Sequence, residues 1–117
     1  MAALLLVAGC QLPGTSSSCN VQIEWVNFIQ IASTQYVAGP GAPTIVHESD
    51  LGPVYAEVKF KVSGNVCDPN YRIKDGDAAF LDPGTPLYQI KGQSTSMQLA
   101  ANFHGTFLVY RAKPPAT

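Results

Sequence analysis

The chain has 117 residues, enough for one domain and short for two. Charged residues make up only 13%, about half the usual share, and seven Lys and Arg face eight Asp and Glu for a formal net charge of −1. That balance excludes the concentrated positive surface of a nucleic-acid binder, and the 46% hydrophobic content excludes a compositionally disordered chain.

Met1 to Gly9 reads MAALLLVAG, an apolar run ahead of Cys10. It is too short to span a bilayer as a helix, which takes about 20 residues. Its length suits the apolar region of a secretion signal, roughly 7–15 residues. Val7-Ala8-Gly9-Cys10, an aliphatic residue and two small residues before a Cys, resembles the lipobox of bacterial lipoproteins. The resemblance implies a signal peptide over residues 1–9, cleavage between Gly9 and Cys10, and acylation of the Cys10 thiol. Small side chains let the backbone enter a peptidase groove, and only a thiol takes the diacylglyceryl group. Where such signals carry positive charge, no Lys or Arg precedes this run. A start further upstream would supply it. Residues 10–18 follow as a polar tether without apolar periodicity, suited to standing a folded domain off a membrane. Residues 19–113 are expected to form that domain and residues 114–117 a tail.

The three cysteines are Cys10, Cys19 and Cys67. With Cys10 lipidated, the other two are expected to pair in an oxidising compartment. A Cys19–Cys67 bond closes a loop of about 49 residues, worth roughly 4 kcal/mol in the chain-entropy account, and two free thiols are the alternative. No CxxC pair occurs, and His47 and His104 lack ligand spacing to either Cys, so neither a metal nor another cofactor is expected.

Six or seven strands are predicted beyond the tether. Val21 to Ile31 begins with Val21, Ile23 and Trp25 on one face. The alternation then slips, because Val26 and Phe28 are apolar on the other face; either a bulge lies there or the far half is covered on both sides. Gln35 to Ala38 reads as a short partner strand. Gly and Pro between Ala38 and Pro53 deny helix and central strand alike, so a loop of about 15 residues is expected. Val54 to Val62 alternates strictly, with Val54, Ala56, Val58, Phe60 and Val62 inward and Tyr55, Glu57, Lys59 and Lys61 outward. Ser63 to Ile73 is irregular. Asp77 to Leu81 and Pro86 to Lys91 flank Asp82-Pro83-Gly84-Thr85 and are expected to form a hairpin. Met97 to Phe103 alternates, His104-Gly105 is a turn, and Thr106 to Arg111 is the last strand. Six or seven short strands without a helical period predict an all-β fold, a small antiparallel sandwich or barrel.

Asp50 to Phe60 (DLGPVYAEVKF) and Tyr71 to Gly92 (YRIKDGDAAFLDPGTPLYQIKG) resemble segments of small uncharacterised domains in lipoproteins of Bacillus-like bacteria. That resemblance implies little about function, since those domains carry no assigned activity.

Asp68, Asp75, Asp77 and Asp82 gather within 15 residues. Asp75-Gly76-Asp77-Ala78 lacks the carboxylate ladder and distal Glu of a calcium loop, so turn formation is the better reading. His47, Glu48, Ser49 and Asp50 are neighbours, whereas a triad converges from separated positions. Tyr55, and with it Tyr88 and Tyr110, is expected to face outward; outward Tyr makes either a recognition surface or steadying cross-strand pairs. Tyr55, Asp75, Asp77, Tyr88 and Tyr110 are the candidate binding surface. The expectation is a lipid-anchored, extracytoplasmic membrane protein with a non-catalytic binding or interaction module, contacting an envelope protein or small ligand but no nucleic acid. A structural or accessory envelope role is the second reading, and a small hydrolase ranks last.

Overall fold

The structure, a computed structural model, describes residues 23–39 and 41–113. Nine strands follow in chain order: β1 (Phe28–Ile31), β2 (Thr34–Val37), β3 (Ile45–Val46), β4 (Leu51–Glu57), β5 (Phe60–Lys61), β6 (Asp77–Ala78), β7 (Pro86–Ile90), β8 (Gln98–Phe103) and β9 (Thr106–Ala112). They form one curled sheet, a half-barrel, in the order β4-β7-β8-β9-β2-β1-β6-β5, with β3 also on β9. Pairing is antiparallel except between β5 and β6. Apart from one 3-10 turn at Glu48–Asp50, the described residues contain no helix, so the all-β class is observed. Two strands exceed expectation: β3 forms inside the Gly- and Pro-rich loop, and Val54 to Val62 is split.

That split shapes the sheet. β4 ends at Glu57, antiparallel to β7, and β5 starts at Phe60, parallel to β6. The two strands stand at opposite ends of the order, yet only Val58 and Lys59 separate them. Continuous backbone therefore joins the ends, and the sheet has to curl. Val58 is tied on both sides: its N–H donates to the Thr85 carbonyl at 3.0 Å, and its carbonyl accepts from Gly84 N–H at 2.7 Å. The N–H groups of Lys59 and Phe60 both donate to the Gly76 carbonyl, at 2.8 and 3.2 Å.

The expected alternation along this stretch is corrected accordingly. Val58 and Val62 are buried, but Val54 is 53% and Phe60 37% exposed. Register shifts at Leu51/Val54 and Val54/Ala56, then the change of partner, reset which side chains face inward. The Asp82–Thr85 hairpin is also corrected. The turn forms, with Thr85 N–H donating to the Asp82 carbonyl at 3.1 Å, but β6 pairs with β1 and β5 while β7 pairs with β4 and β8. The turn docks on Val58 and returns the chain across the same gap.

Apolar residues fill the concave face: Ile29, Tyr36, Leu87, Leu99, Leu108 and Tyr110, with Val58 at the crossing. Each large side chain buried there contributes about 1.5–3 kcal/mol. Two smaller clusters cover the outer face. Phe28, Val62, Val66 and Ala79 pack under Trp25 and Ile73, and Ile90, Ala100 and Val109 pack with Val46 and Leu51. Phe28 and Ile29 thus point to different clusters, so β1 is covered on both sides. Residues 23–27 precede the strand instead of extending it, and Val21 lies outside the described residues.

Both tight hairpins use two residues at positive φ, Ala32 (51°) with Ser33 (66°) and His104 (54°) with Gly105 (88°). That geometry matches the twist of the strands it joins. The His104-Gly105 turn falls where the sequence places it, between Phe103 and Thr106.

Gly76 is buried at φ 94°, and a Cβ there would lie 2.8 and 2.5 Å from Cβ and Cγ of Lys59. Gly76→Ala is expected to destabilise the protein by about 2–3 kcal/mol. Urea unfolding should show a lower midpoint at unchanged slope.

Candidate functional site

Asp75 serves the first hairpin. Its Oδ1 accepts from Ser33 N–H at 2.7 Å and from Gln30 Nε2 at 3.2 Å. Ala32 and Ser33 lack the conformational freedom of glycine, and left-handed backbone costs such residues about 1 kcal/mol or more each. The carboxylate offsets part of that cost.

Asp77 is 2% exposed and locks the loop ahead of β6. Its Oδ2 accepts from Tyr71 Oη and from Lys74 N–H, both at 2.8 Å. Lys74 Nζ donates to Tyr71 Oη and lies over the Tyr71 ring, 4.5 Å from its centroid. The hydrogen bond to Tyr71 holds the Lys74 ammonium above its usual pKa, against a smaller opposing effect of desolvation and with help from the Asp77 charge. Asp68 Oδ1 accepts from Asn70 N–H at 2.9 Å, and Asp82 pairs with Lys61 at 3.0 Å. The four carboxylates are engaged separately. Among the described residues no three His, Cys, Asp or Glu side chains gather as metal ligands.

The tyrosines diverge. Tyr55 is 43% exposed on edge strand β4. Tyr88 is half-buried, its ring edge-on to Phe107 at 5.9 Å. Tyr110 is fully buried and donates to Asn27 Oδ1 at 3.1 Å. Its expected outward placement is corrected: β9 carries apolar cover on both faces, and Tyr110 takes the concave one with Leu108. Burial pushes its pKa up to about 12. Burial also raises Tyr36, helped by the charge of Tyr55. With Asp77 and Tyr110 inside, the five residues do not form one surface. His47 precedes the exposed 3-10 turn that holds Glu48, Ser49 and Asp50, and His104 sits in the β8–β9 turn.

Among the described residues a surface groove lies elsewhere, where β2 and β9 end together. Tyr36 pairs with Ala112 and Val37 with Arg111, while Ala38 N–H donates to the Asn27 carbonyl at 3.0 Å. This brings the segment ahead of β1 alongside and leaves an open groove of about 430 Å³. Val26, Val37, Ala38 and Ala112 make it apolar, with Arg111 and Lys113 as its charged lining. Arg111 Nη1 donates to Thr44 Oγ1 at 3.2 Å, and Lys113 N–H donates to the Gln35 carbonyl at 2.7 Å. Neither cation forms an ion pair among the described residues, where Lys61 and Asp82 make the one such pair. Sequence reading missed the groove because strand pairing alone brings Val26, Val37 and Lys113 together. The alternating Arg111-Ala112-Lys113 at the close of β9 was the available signal.

Cys67 lies on the exposed loop after β5 and is not a free residue. Cys10 and Cys19, with the signal peptide, tether and tail, lie outside the described residues. No protein family, curated protein or solved structure matches the chain.

Asp75→Ala is expected to cost about 1 kcal/mol, and Ala32→Asn with Ser33→Gly should recover it by relaxing the turn. Denaturant melts of the three proteins check this. Alkali should act through Tyr110. Unfolded Tyr ionises near pH 10, the buried Tyr110 only near 12, so its contribution is complete below pH 10 and lost between pH 10 and 12. Urea stability should fall across that window, and Tyr110→Phe should flatten the fall.

Proposed function

We propose that this is a lipid-anchored bacterial protein on the extracytoplasmic face of the membrane, whose β domain is a non-catalytic binding or interaction module. The anchor rests on Val7-Ala8-Gly9-Cys10, with Cys10 carrying the acyl chains. More than one chain is needed for firm attachment. A Cys19–Cys67 disulfide belongs to the same reading, and the engaged state of Cys67 supports it. The resemblance of Asp50–Phe60 and Tyr71–Gly92 to lipoprotein domains agrees with an envelope setting. The observation that carries the binding role is the apolar groove at the end of β2 and β9 with its two cations. Concave, mostly apolar surfaces with a few convergent polar groups are where small ligands bind.

A structural envelope role is favoured by one feature, the β4 edge. Among the described residues β4 pairs with β7 alone, and it exposes Val54 and Tyr55. An open edge of this kind accepts another strand, although Pro53 removes one donor from it.

Mass spectrometry of the membrane fraction should show residues 1–9 missing and acyl mass on Cys10. Cys10→Ala should move the protein out of that fraction, and equal retention would contradict the anchor. Alkylation without reduction should leave Cys19 and Cys67 unlabelled; labelling of both would reject the disulfide.

A further inference from the structure

We infer that the groove at the end of β2 and β9 binds a single-chain anionic amphiphile, a medium- or long-chain carboxylate, with its alkyl part on Val26 and Val37 and its head on Arg111 and Lys113. The inference rests on the binding-module reading and names its ligand class. At about 430 Å³ the space falls within the range of small-molecule sites, roughly 300–1,000 Å³. Its lining is mostly apolar, with Asn27, Arg111 and Lys113 as the polar members, and each methylene taken out of water raises affinity about fourfold. Val26 is 61% exposed, an apolar side chain left in water unless something covers it.

The head group follows from charge. Arg111 and Lys113 are two residues apart where the chain still runs alongside β2, so both project to the same side. Thr44 occupies one guanidinium nitrogen, and Lys113 Nζ has no partner among the described residues. Among the described residues that line the groove, none is acidic. A carboxylate takes two cationic donors directly, as charge-assisted hydrogen bonds. An uncharged head would leave both cations unused. Gly39 and Gly41, which bring no side chain to the lining, border the groove, and it is open toward solvent.

The sole tryptophan, Trp25, precedes Val26 in the chain and supplies a fluorescence probe, and the heat of binding gives an independent readout. The full 117-residue chain is titrated with laurate below its micelle concentration, and separately with dodecanol, following fluorescence and heat. Laurate should bind saturably and more tightly than dodecanol. The Arg111→Gln/Lys113→Gln double variant should weaken laurate by about tenfold or more and leave dodecanol unchanged. Val26→Asp should weaken both. All three residues are largely solvent-facing, so thermal unfolding of the variants should match the native protein. Equal affinity for laurate and dodecanol would overturn the inference, as would laurate binding that survives both variants. If laurate fails but a ligand screen finds another compound whose binding Val26→Asp removes, the ligand class falls and the binding module stands. If no compound shows that sensitivity, both fall.

Discussion

The fold depends on two residues that carry the backbone from one end of the sheet to the other. Val58 and Lys59 lie between β4, which ends the strand order on one side, and β5, which ends it on the other. A flat sheet of this order would hold those strands many spacings of about 4.8 Å apart, far beyond the reach of two residues. Curling is therefore imposed by connectivity. The second crossing, from β6 to β7, closes against the first through the hydrogen bonds of Val58 with Gly84 and Thr85. Gly76 completes the joint, because its carbonyl receives Lys59 and Phe60 and its missing side chain admits Lys59.

Curling also determines what is inside. The concave face gathers Tyr36, Leu99 and Tyr110 into the main core, and loops fold back over the convex face to form two more clusters. Strands in the middle of the order are consequently apolar on both faces. Leu99, Ala100 and Ala101 are all buried, as are Leu108, Val109 and Tyr110.

The part of this legible in the sequence was local. The β8–β9 hairpin announces itself through alternation on both arms and through His104-Gly105, whose turn needs positive φ at two positions. The break in Val54 to Val62 was invisible. Perfect period-two alternation also describes two short strands in line, and only long-range pairing shows that their partners differ. The same blindness made Asp82–Thr85 look like a hairpin, since turn residues specify a reversal and not the strands it serves. Tyr110 misled because a polar tip on a strand reads as outward, whereas Asn27, distant in sequence, satisfies its hydroxyl inside. Asp75 and Asp77 accept hydrogen bonds from turn backbone, in keeping with a turn-forming reading. Their partners on β1 and in the loop at Tyr71 could not be read from spacing.

With those carboxylates engaged in the fold, the groove beside Val26, where two cations border apolar surface, is the site we propose for binding. Its position follows from the same curled order, which brings β9 and β2 together. The most direct test of that order is an NMR map of cross-strand contacts around Val58. Expected are backbone contacts of Phe60 and Lys61 with Asp77 and Ala78, contacts of Ala56 and Glu57 with Leu87 and Pro86, and slow amide exchange at Val58. An unbroken ladder from Val54 to Val62 along a single partner strand would contradict it.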